Sequence, residues 1–369
     1  MPHIQTLPSH LVNQIAAGEV VERPASVVKE LVENSLDAGA GSITVDIEAG
    51  GTRLIRIIDD GCGIVKEELS AAVSRHATSK IRSLEDLEKI ASLGFRGEAL
   101  PSIASVSRLS LVSFSKQDEH AWKIQVRDQT EAVPDAAPPG TCVEVRELFY
   151  NVPARKKFLR TEQTEYKHIE SLFKTLVISH PATAFRLIHN QKTVYQLKPA
   201  HSPQEQQQRL AMLCGKDFAT SLIEVNAEAD GFVLSGWIAL PSFNRSQADM
   251  QYFYVNQRVI RDKLINHAVR QAYQDVMFHG RHAAYVLSLQ MDCRQLDVNV
   301  HPQKHEVRFR NSRQVHDFIY RSLKQALAEV QPHRQIESPA YAFGAASSNN
   351  ESMPVQQSGL GFNAFNNQH

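Results

Sequence analysis

Proline at Pro24 and glycine at Gly39 bracket the segment from Glu22 to Gly39 with the punctuation of a helix. Proline suits a first helical turn, where its missing N–H is not needed, and glycine suits the residue just past a helix end. The bracket fixes what lies between. Glu30 and Asn34 are four residues apart and so fall on one face, one turn from each other. A carboxylate there can activate water, and an amide oxygen beside it can ligate a hard cation such as magnesium, which prefers oxygen ligands and keeps several waters. Glu33 and Asp37 repeat the spacing on a neighbouring face, so the pair alone describes many solvated helices.

Two glycine-marked loops downstream give the pair a context. The run Arg53-Leu54-Ile55-Arg56-Ile57-Ile58 has the branched residues of a strand and leads into Asp59-Asp60-Gly61-Cys62-Gly63. Gly61 and Gly63 tolerate positive φ and let a ligand approach the backbone, and a carboxylate at a strand end can accept a hydrogen bond from the exocyclic amine of adenine. An ordinary acidic turn has the same composition. The second loop, Gly94-Phe95-Arg96-Gly97-Glu98-Ala99-Leu100, is more specific, because glycine before a helix start leaves backbone N–H groups free to cradle phosphate oxygens. It contains no Gly-Lys-Ser or Gly-Lys-Thr and is not a Walker A loop. Between the two, Arg75-His76-Ala77-Thr78-Ser79-Lys80 is polar and cationic, as a lid over phosphates or a surface loop would be.

Taken together, these residues and Gly140-Thr141 resemble the ATP-binding fold shared by DNA gyrase, a heat-shock chaperone family, histidine kinases and MutL. In detail the chain is similar to the MutL family of mismatch-repair proteins. The matching segments are Ile15-Ala16-Ala17-Gly18-Glu19-Val20, Glu33-Asn34-Ser35-Leu36-Asp37-Ala38-Gly39-Ala40, Ala77-Thr78-Ser79-Lys80, the Gly94 heptad, Asn151-Val152-Pro153-Ala154-Arg155-Lys156-Lys157-Phe158 and Asp297-Val298-Asn299-Val300-His301-Pro302-Gln303-Lys304, in the family's order. The resemblance implies that Glu30 is the general base, Asn34 the Mg2+ ligand and Asp59 the adenine contact, supported by Thr141. It places Gly61 and Gly63 in the adenine loop, Thr78, Ser79 and Lys80 in the lid, and Gly94, Phe95, Arg96, Gly97, Glu98, Ala99 and Leu100 around the phosphates. It implies that Lys304 reaches the γ-phosphate from a second domain. Asp60 stands where Asn is common in the family, and Asn256-Gln257 where Asn-Gly is common. Gln lacks glycine's ease at positive φ, so that turn is expected to differ in shape.

Two units are expected on length, and the fold class is α+β. Residues 1–215, an α/β sandwich, carry the ATP apparatus, with a core stripe of Ile169, Leu172, Phe173, Leu176 and Val177 in a helix near 166–177. Residues 216–331 show strands near 232–239, 252–255 and 285–291, and a helical period through Ile265, Val269, Ala272 and Val276. The resemblance makes this a small α/β transducer domain with a left-handed crossover. Residues 332–369 lose Lys and Arg after Arg334, are rich in Ser, Asn, Gln, Gly and Ala, and read as a disordered linker. In the family such a linker leads to a dimerisation domain, so an N-terminal piece or truncated product is expected.

Composition agrees. Lys plus Arg and Asp plus Glu number 40 each, which argues against a generally basic coat and leaves local patches open. Arg155, Lys156, Lys157 and Arg160 form one such patch beside Phe158; Arg258, Arg261, Lys263 and Arg270 form another. Phosphate contacts from them would be sequence-independent and salt-sensitive. Cys62, Cys142, Cys214 and Cys293 are widely spaced, as in a reducing compartment. Met1-Pro2-His3-Ile4-Gln5-Thr6 shows no secretory start, and no apolar run approaches a membrane span. Pro302 argues against a regular helix holding His301 and His305 as a metal pair. No metal-nuclease motif is found.

The expected function is an ATP-driven switch in DNA mismatch repair: a slow, Mg2+-dependent ATPase of the bacterial cytoplasm and nucleoid that dimerises on ATP and binds DNA. The resemblance implies the mismatch-recognition protein MutS and a downstream nuclease and helicase as partners. A topoisomerase subunit or chaperone on the same fold, and a scaffold with a structural nucleotide, are the competing classes. The Gly94 heptad and the Lys304 segment count against the first, and Glu30 against the second.

Overall fold

The computed structural model describes residues 17, 18, 20–75, 77, 97–126, 131–297 and 307–334, with side chains to Glu329. Thr78, Ser79, Lys80, Gly94, Phe95, Arg96, His301, Pro302, Lys304, His305 and nearly all of the tail therefore lie outside the described residues.

Helix α1 (Pro24–Asp37) begins with proline in its first turn, and Gly39 beyond its end takes φ +73°. Val27, Val28, Leu31 and Val32 recur at helical spacing and are buried, which makes one face of α1 a core surface. Strands β1 (Ser42–Glu48) and β2 (Leu54–Asp59) pair antiparallel, with Ile43 opposite Asp59. Alternation in β1 turns Ile43, Val45 and Ile47 inward. Then follow α2 (Lys66–Ala72), α3 (Ala99–Ser105), β3 (Arg108–Phe114), β4 (Ala121–Gln125), β5 (Val133–Asp135), β6 (Gly140–Arg146), α4 (Pro153–Phe158), α5 (Glu162–Ser179), β7 (Ala184–His189) and β8 (Lys192–Leu197). The eight strands form one sheet in the order β5-β4-β3-β6-β2-β1-β7-β8, antiparallel except for the β1–β7 pair. Ile169, Phe173, Leu176 and Val177 of α5 share one core with α1 and the inner face of the sheet, and Leu172 packs at its margin. Each such side chain, fully buried, contributes roughly 1.5–3 kcal/mol. The expected stripe is thus core, and the layer order is a two-layer sandwich.

Helices α6 (Pro203–Cys214), which opens on a Ser202–Glu205 capping box, and α7 (Lys216–Thr220) lead to the second sheet. Its region contains β9 (Leu222–Ala229), β10 (Phe232–Ala239), β11 (Asn244–Arg245), β12 (Gln251–Val255), β13 (Arg258–Val259), α8 (Lys263–Tyr273), β14 (His282–Ala283), β15 (Tyr285–Gln290), β16 (Leu296–Asp297), β17 (Arg308–Phe309) and α9 (Ser312–Arg334). The sheet order is β13-β12-β15-β10-β9. Strands β12 and β15 are parallel neighbours, so the chain must cross over between them, and α8 lies on that crossover. Asp262 caps α8 by accepting from the Leu264 N–H at 2.7 Å. Ile265, Val269 and Ala272 of α8 meet Val315, Ile319 and Leu323 of α9 in a second core. Val276 lies just past the end of α8, partly buried against that core rather than extending the helix.

Residues up to Ala328 form one compact unit, and both sheets belong to it. Leu210, Phe218, Trp237, Met250, Tyr254 and Val286 make a third buried cluster, and the Tyr254 hydroxyl donates to the Thr175 carbonyl of α5 at 2.9 Å. Of the remaining unit, Glu329–His369, the described part is the last turns of α9.

The turn at Asn256-Gln257 departs from expectation. Both residues take positive φ, +47° and +67°, so glutamine adopts the backbone that Asn-Gly would supply. Long-range bonds hold it: Asn256 Nδ2 donates to the Met291 carbonyl, and the Met291 N–H donates to Asn256 Oδ1, each at 3.0 Å. All four cysteines are free, and among the described residues no helix is long and apolar enough to cross a membrane.

Candidate nucleotide site

The site begins at the edge where α1 meets the end of β2. Glu30, Asn34 and Ala38 lie in one row along α1 and its cap, each partly exposed. The row ends against the acidic loop, where the Cys62 N–H donates to the Ala38 carbonyl at 3.1 Å. Gly61 has negative φ and is glycine for space: a Cβ would come within 2.9 Å of the Ala38 Cβ. Gly63 takes φ +73°, and a Cβ there would collide with the Phe114 carbonyl.

Asp59 is 9% exposed. Its Oδ2 accepts from the Ser35 hydroxyl at 2.7 Å and its Oδ1 from the Gly61 N–H at 3.0 Å. Burial pushes the carboxyl above its ordinary range, opposed by those two bonds and by a backbone bond from Thr141. Thr141 stands directly opposite Asp59 across the β2–β6 ladder. Its hydroxyl shares a 3.0 Å hydrogen bond with Ser113 Oγ, which in turn accepts from the Ile64 N–H at 2.8 Å. Gly140 takes φ +120°, and a Cβ there would strike the Asp59 carbonyl, so β6 reaches the loop only through glycine. A carboxylate offers about four lone-pair positions, so the bonds from Ser35, Gly61 and Thr141 still leave Asp59 capacity to accept from an amine. The glycine-lined approach and the held acceptor fit an adenine ring.

Glu30, Asn34, Asp59, Gly61, Gly63 and Thr141, singled out from the sequence, all lie at this edge. Ser35, whose bond to Asp59 spans 24 residues, and Ser113, which carries no motif, join them without a signal in the sequence. Gly97 takes φ +61° and Glu98 stands at the N-cap position of α3 without a side-chain capping bond, so glycine does precede a helix start; Ala99 opens α3 and Leu100 packs on the first core. Glu33, the bland twin of the pair, is 8% exposed and lies 3.9 Å from Lys29.

The basic residues divide. Lys156, Lys157, Arg160, Arg261, Lys263 and Arg270 are exposed. Arg155 is turned inward against Gly18, where a Cβ would collide with its guanidinium. Arg258 is partly buried; burial draws its guanidinium below the ordinary value, opposed by the charges of Glu33 and Asp37 on α1. Arg258 therefore faces the first sheet's helix layer and not open solvent.

Comparison with known proteins adds to this geometry. A family model described as histidine kinase-, DNA gyrase B- and HSP90-like ATPase matches residues 22–139, and one described as DNA mismatch repair protein, C-terminal domain, matches residues 210–328. The DNA mismatch repair protein MutL of Cellvibrio japonicus is 54% identical over 93% of this chain and 55% of its own length. That of Pseudomonas fluorescens is 53% identical over 91% of this chain and 54% of its own. The chain thus spans about half the length of the curated relatives it matches. Among solved structures, the Aquifex aeolicus MutL ATPase domain complexed with ADP is 31% identical, with a TM-score of 0.53, covering 74% of this chain and 93% of that one. The N-terminal domain of a DNA repair protein has a TM-score of 0.72 at 25% identity, covering 87% of this chain and 99% of that one.

Proposed function

The chain belongs to the MutL family of DNA mismatch repair proteins and carries its ATPase domain, and from that we propose that it is an ATP-driven switch in mismatch repair. The observation that carries the reading is the buried Asp59 acceptor, held by Ser35 and Gly61 at the end of the helix row that bears Glu30 and Asn34.

In this reading Asp59 accepts the adenine amine, and Gly61, Gly63 and Thr141 shape the slot around the ring. Glu30 orients a water and takes its proton as that water attacks the γ-phosphorus; the bond from that phosphorus to the β–γ bridging oxygen breaks, and ADP leaves with inorganic phosphate as the other product. Asn34 would hold magnesium through its amide oxygen, and the ion would supply neutralisation of phosphate charge. Thr78, Ser79 and Lys80 close over the phosphates, which Gly94, Phe95, Arg96, Gly97, Glu98, Ala99 and Leu100 surround. Lys304 reports from the second domain on whether the γ-phosphate is present. Residues 1–215 act as the ATP-binding domain, 216–331 as the transducer and 332–369 as the linker. ATP binding creates a surface for a second copy, so the protein dimerises on ATP. Exposed Lys156, Lys157, Arg160, Arg261, Lys263 and Arg270 supply a sequence-independent DNA surface in the bacterial cytoplasm. The switch couples mismatch recognition by MutS to the downstream nuclease and helicase.

Sedimentation with and without a non-hydrolysable ATP analogue tests the reading. A monomer without nucleotide and a dimer with it is the expected result. A monomer in both conditions at high concentration removes the switch.

A further inference from the structure

Strands β2, β6 and β3 lie side by side in the first sheet, and their inward residues form rows across the strands. Ile55, Val145 and Leu109 make one row and Ile57, Val143 and Leu111 the next, all buried in the first core. One strand period further along, the row is Asp59, Thr141 and Ser113. The apolar core thus ends in three side chains that carry oxygen. Thr141 is partly exposed, whereas Ser113 is fully buried. Ser113 cannot touch a ligand, so any influence on one passes through Thr141.

The hydrogen bonds of Ser113 set the sense of that influence. A hydroxyl has one proton and two lone pairs. Ser113 Oγ accepts from the Ile64 N–H at 2.8 Å and donates to the Gly140 carbonyl at 3.1 Å. One lone pair is left, and the Thr141 hydroxyl, 3.0 Å away, donates to it. The opposite sense, with Ser113 donating to Thr141, forfeits the bond to Gly140, and buried polar groups are seldom left with a bond unmade. With its only proton given to Ser113, Thr141 offers lone pairs and no hydrogen beside Asp59.

We infer that Ser113 is a specificity-determining positioning residue: by holding the Thr141 hydroxyl as an acceptor, it makes the slot select a 6-aminopurine nucleotide over a 6-oxopurine one. The inference rests on the reading that places adenine at Asp59. Asp59 and Thr141 then stand as two neighbouring acceptors. The amine at C6 of adenine brings two hydrogens to them. The carbonyl at C6 of hypoxanthine or guanine brings only lone pairs, and a site built for a donor rejects a ligand that lacks one. A Thr141 hydroxyl released from Ser113 would turn its proton to that carbonyl, and part of the discrimination would go.

The test is equilibrium binding of the full chain to ATP, inosine triphosphate and purine riboside triphosphate. The three share sugar and phosphates and carry an amine, a carbonyl and a hydrogen at C6. Wild type should bind ATP about ten- to a hundredfold tighter than inosine triphosphate, with purine riboside triphosphate between them. Ser113→Ala should narrow the ratio of ATP to inosine triphosphate affinity about tenfold. Thr141→Val should narrow it too. Added to Thr141→Val, Ser113→Ala should move the ratio no further, because Ser113 acts only through that hydroxyl. Equal weakening of both nucleotides in Ser113→Ala assigns the serine to the fold alone and overturns the inference. A further change of ratio in the double variant also overturns it. The order of the three nucleotides on wild type depends on no variant's folding. Inosine triphosphate bound as tightly as purine riboside triphosphate would show Thr141 donating and defeat the inference. If wild type binds all three alike, adenine does not lie at Asp59, and the reading falls together with the inference. A wild-type preference for ATP that Ser113→Ala leaves unchanged defeats the inference alone.

Discussion

The Ser35 hydroxyl donates to Asp59 Oδ2 at 2.7 Å, and that bond fastens the helix bearing Glu30 and Asn34 to the strand end bearing the acidic loop. Ser35 is itself 3% exposed, and its Oγ lies 3.2 Å from the Leu31 carbonyl, a longer alternative acceptor for the one hydroxyl proton that Asp59 takes.

Asp59 is predicted to weaken the empty fold. Its folded pKa is raised above the ordinary 3.8 because burial outweighs its hydrogen bonds. The folded state then holds its proton more tightly than the unfolded chain, so stability falls as pH rises from the ordinary value through the raised one. Asp59→Asn should raise the melting midpoint of the nucleotide-free chain at pH 7, with the gain fading in acid below the carboxylate range. ATP affinity should drop about ten- to a hundredfold, because a buried amine then faces an amide that also serves Ser35 and Gly61. Melting across pH and equilibrium ATP binding check both halves. A lower midpoint at pH 7 would assign the carboxylate to the fold.

Glu30 is predicted to separate binding from chemistry. Glu30→Ala should retain ATP and lose about a hundredfold to ten-thousandfold in turnover, the range for general-base help. Steady-state hydrolysis together with analogue affinity measures the split. Near-normal turnover would remove Glu30 from the role.

Gly140 is predicted to couple stability to the nucleotide. At φ +120° an added Cβ strikes the Asp59 carbonyl, so Gly140→Ala should cost about 1–3 kcal/mol in urea unfolding and also displace the adenine acceptor. Gly39→Ala is the control. Its φ is +73° with nothing within 4 Å of the added atom, so it should lose stability and keep ATP affinity. Loss of ATP binding in both variants alike would mean that backbone strain, not the Asp59 contact, is at work.

Arg258 is predicted to behave unlike its basic neighbours. Facing Glu33 and Asp37, it should lower stability when changed to Ala while leaving the salt dependence of DNA binding untouched. Arg261→Glu with Lys263→Glu should lower the salt slope by about one per lost phosphate contact. Titrations over a range of salt concentrations compare the variants. A reduced slope in Arg258→Ala would return it to the DNA surface.

What the sequence disclosed and what it withheld follow from the range of the forces involved. The ends of α1 were legible because proline and glycine act locally, and β10 because its apolar run is bounded by turn residues. Glutamine at 257 misled for the converse reason: local preference predicted a different turn, but bonds from Met291, 35 residues away from Asn256, impose positive φ. Ser35 and Ser113 were invisible because a hydroxyl's partner depends on which strand end arrives beside it. Arg258 was grouped with exposed cations because spacing along the chain carries no information about a carboxylate pair on another element.

Helix α1 presents one row, Glu30 and Asn34, beside the nucleotide loop and another, Glu33 and Asp37, to Arg258 at the edge of the second sheet. Its fourteen residues make a rod roughly 21 Å long with no glycine or proline after its first turn. Such a rod works as an axle: a twist applied at one row is delivered to the other without a hinge to absorb it. Arg258 meets that rod at the edge strand of the second sheet, so one unbroken helix borders both the nucleotide edge and the second sheet.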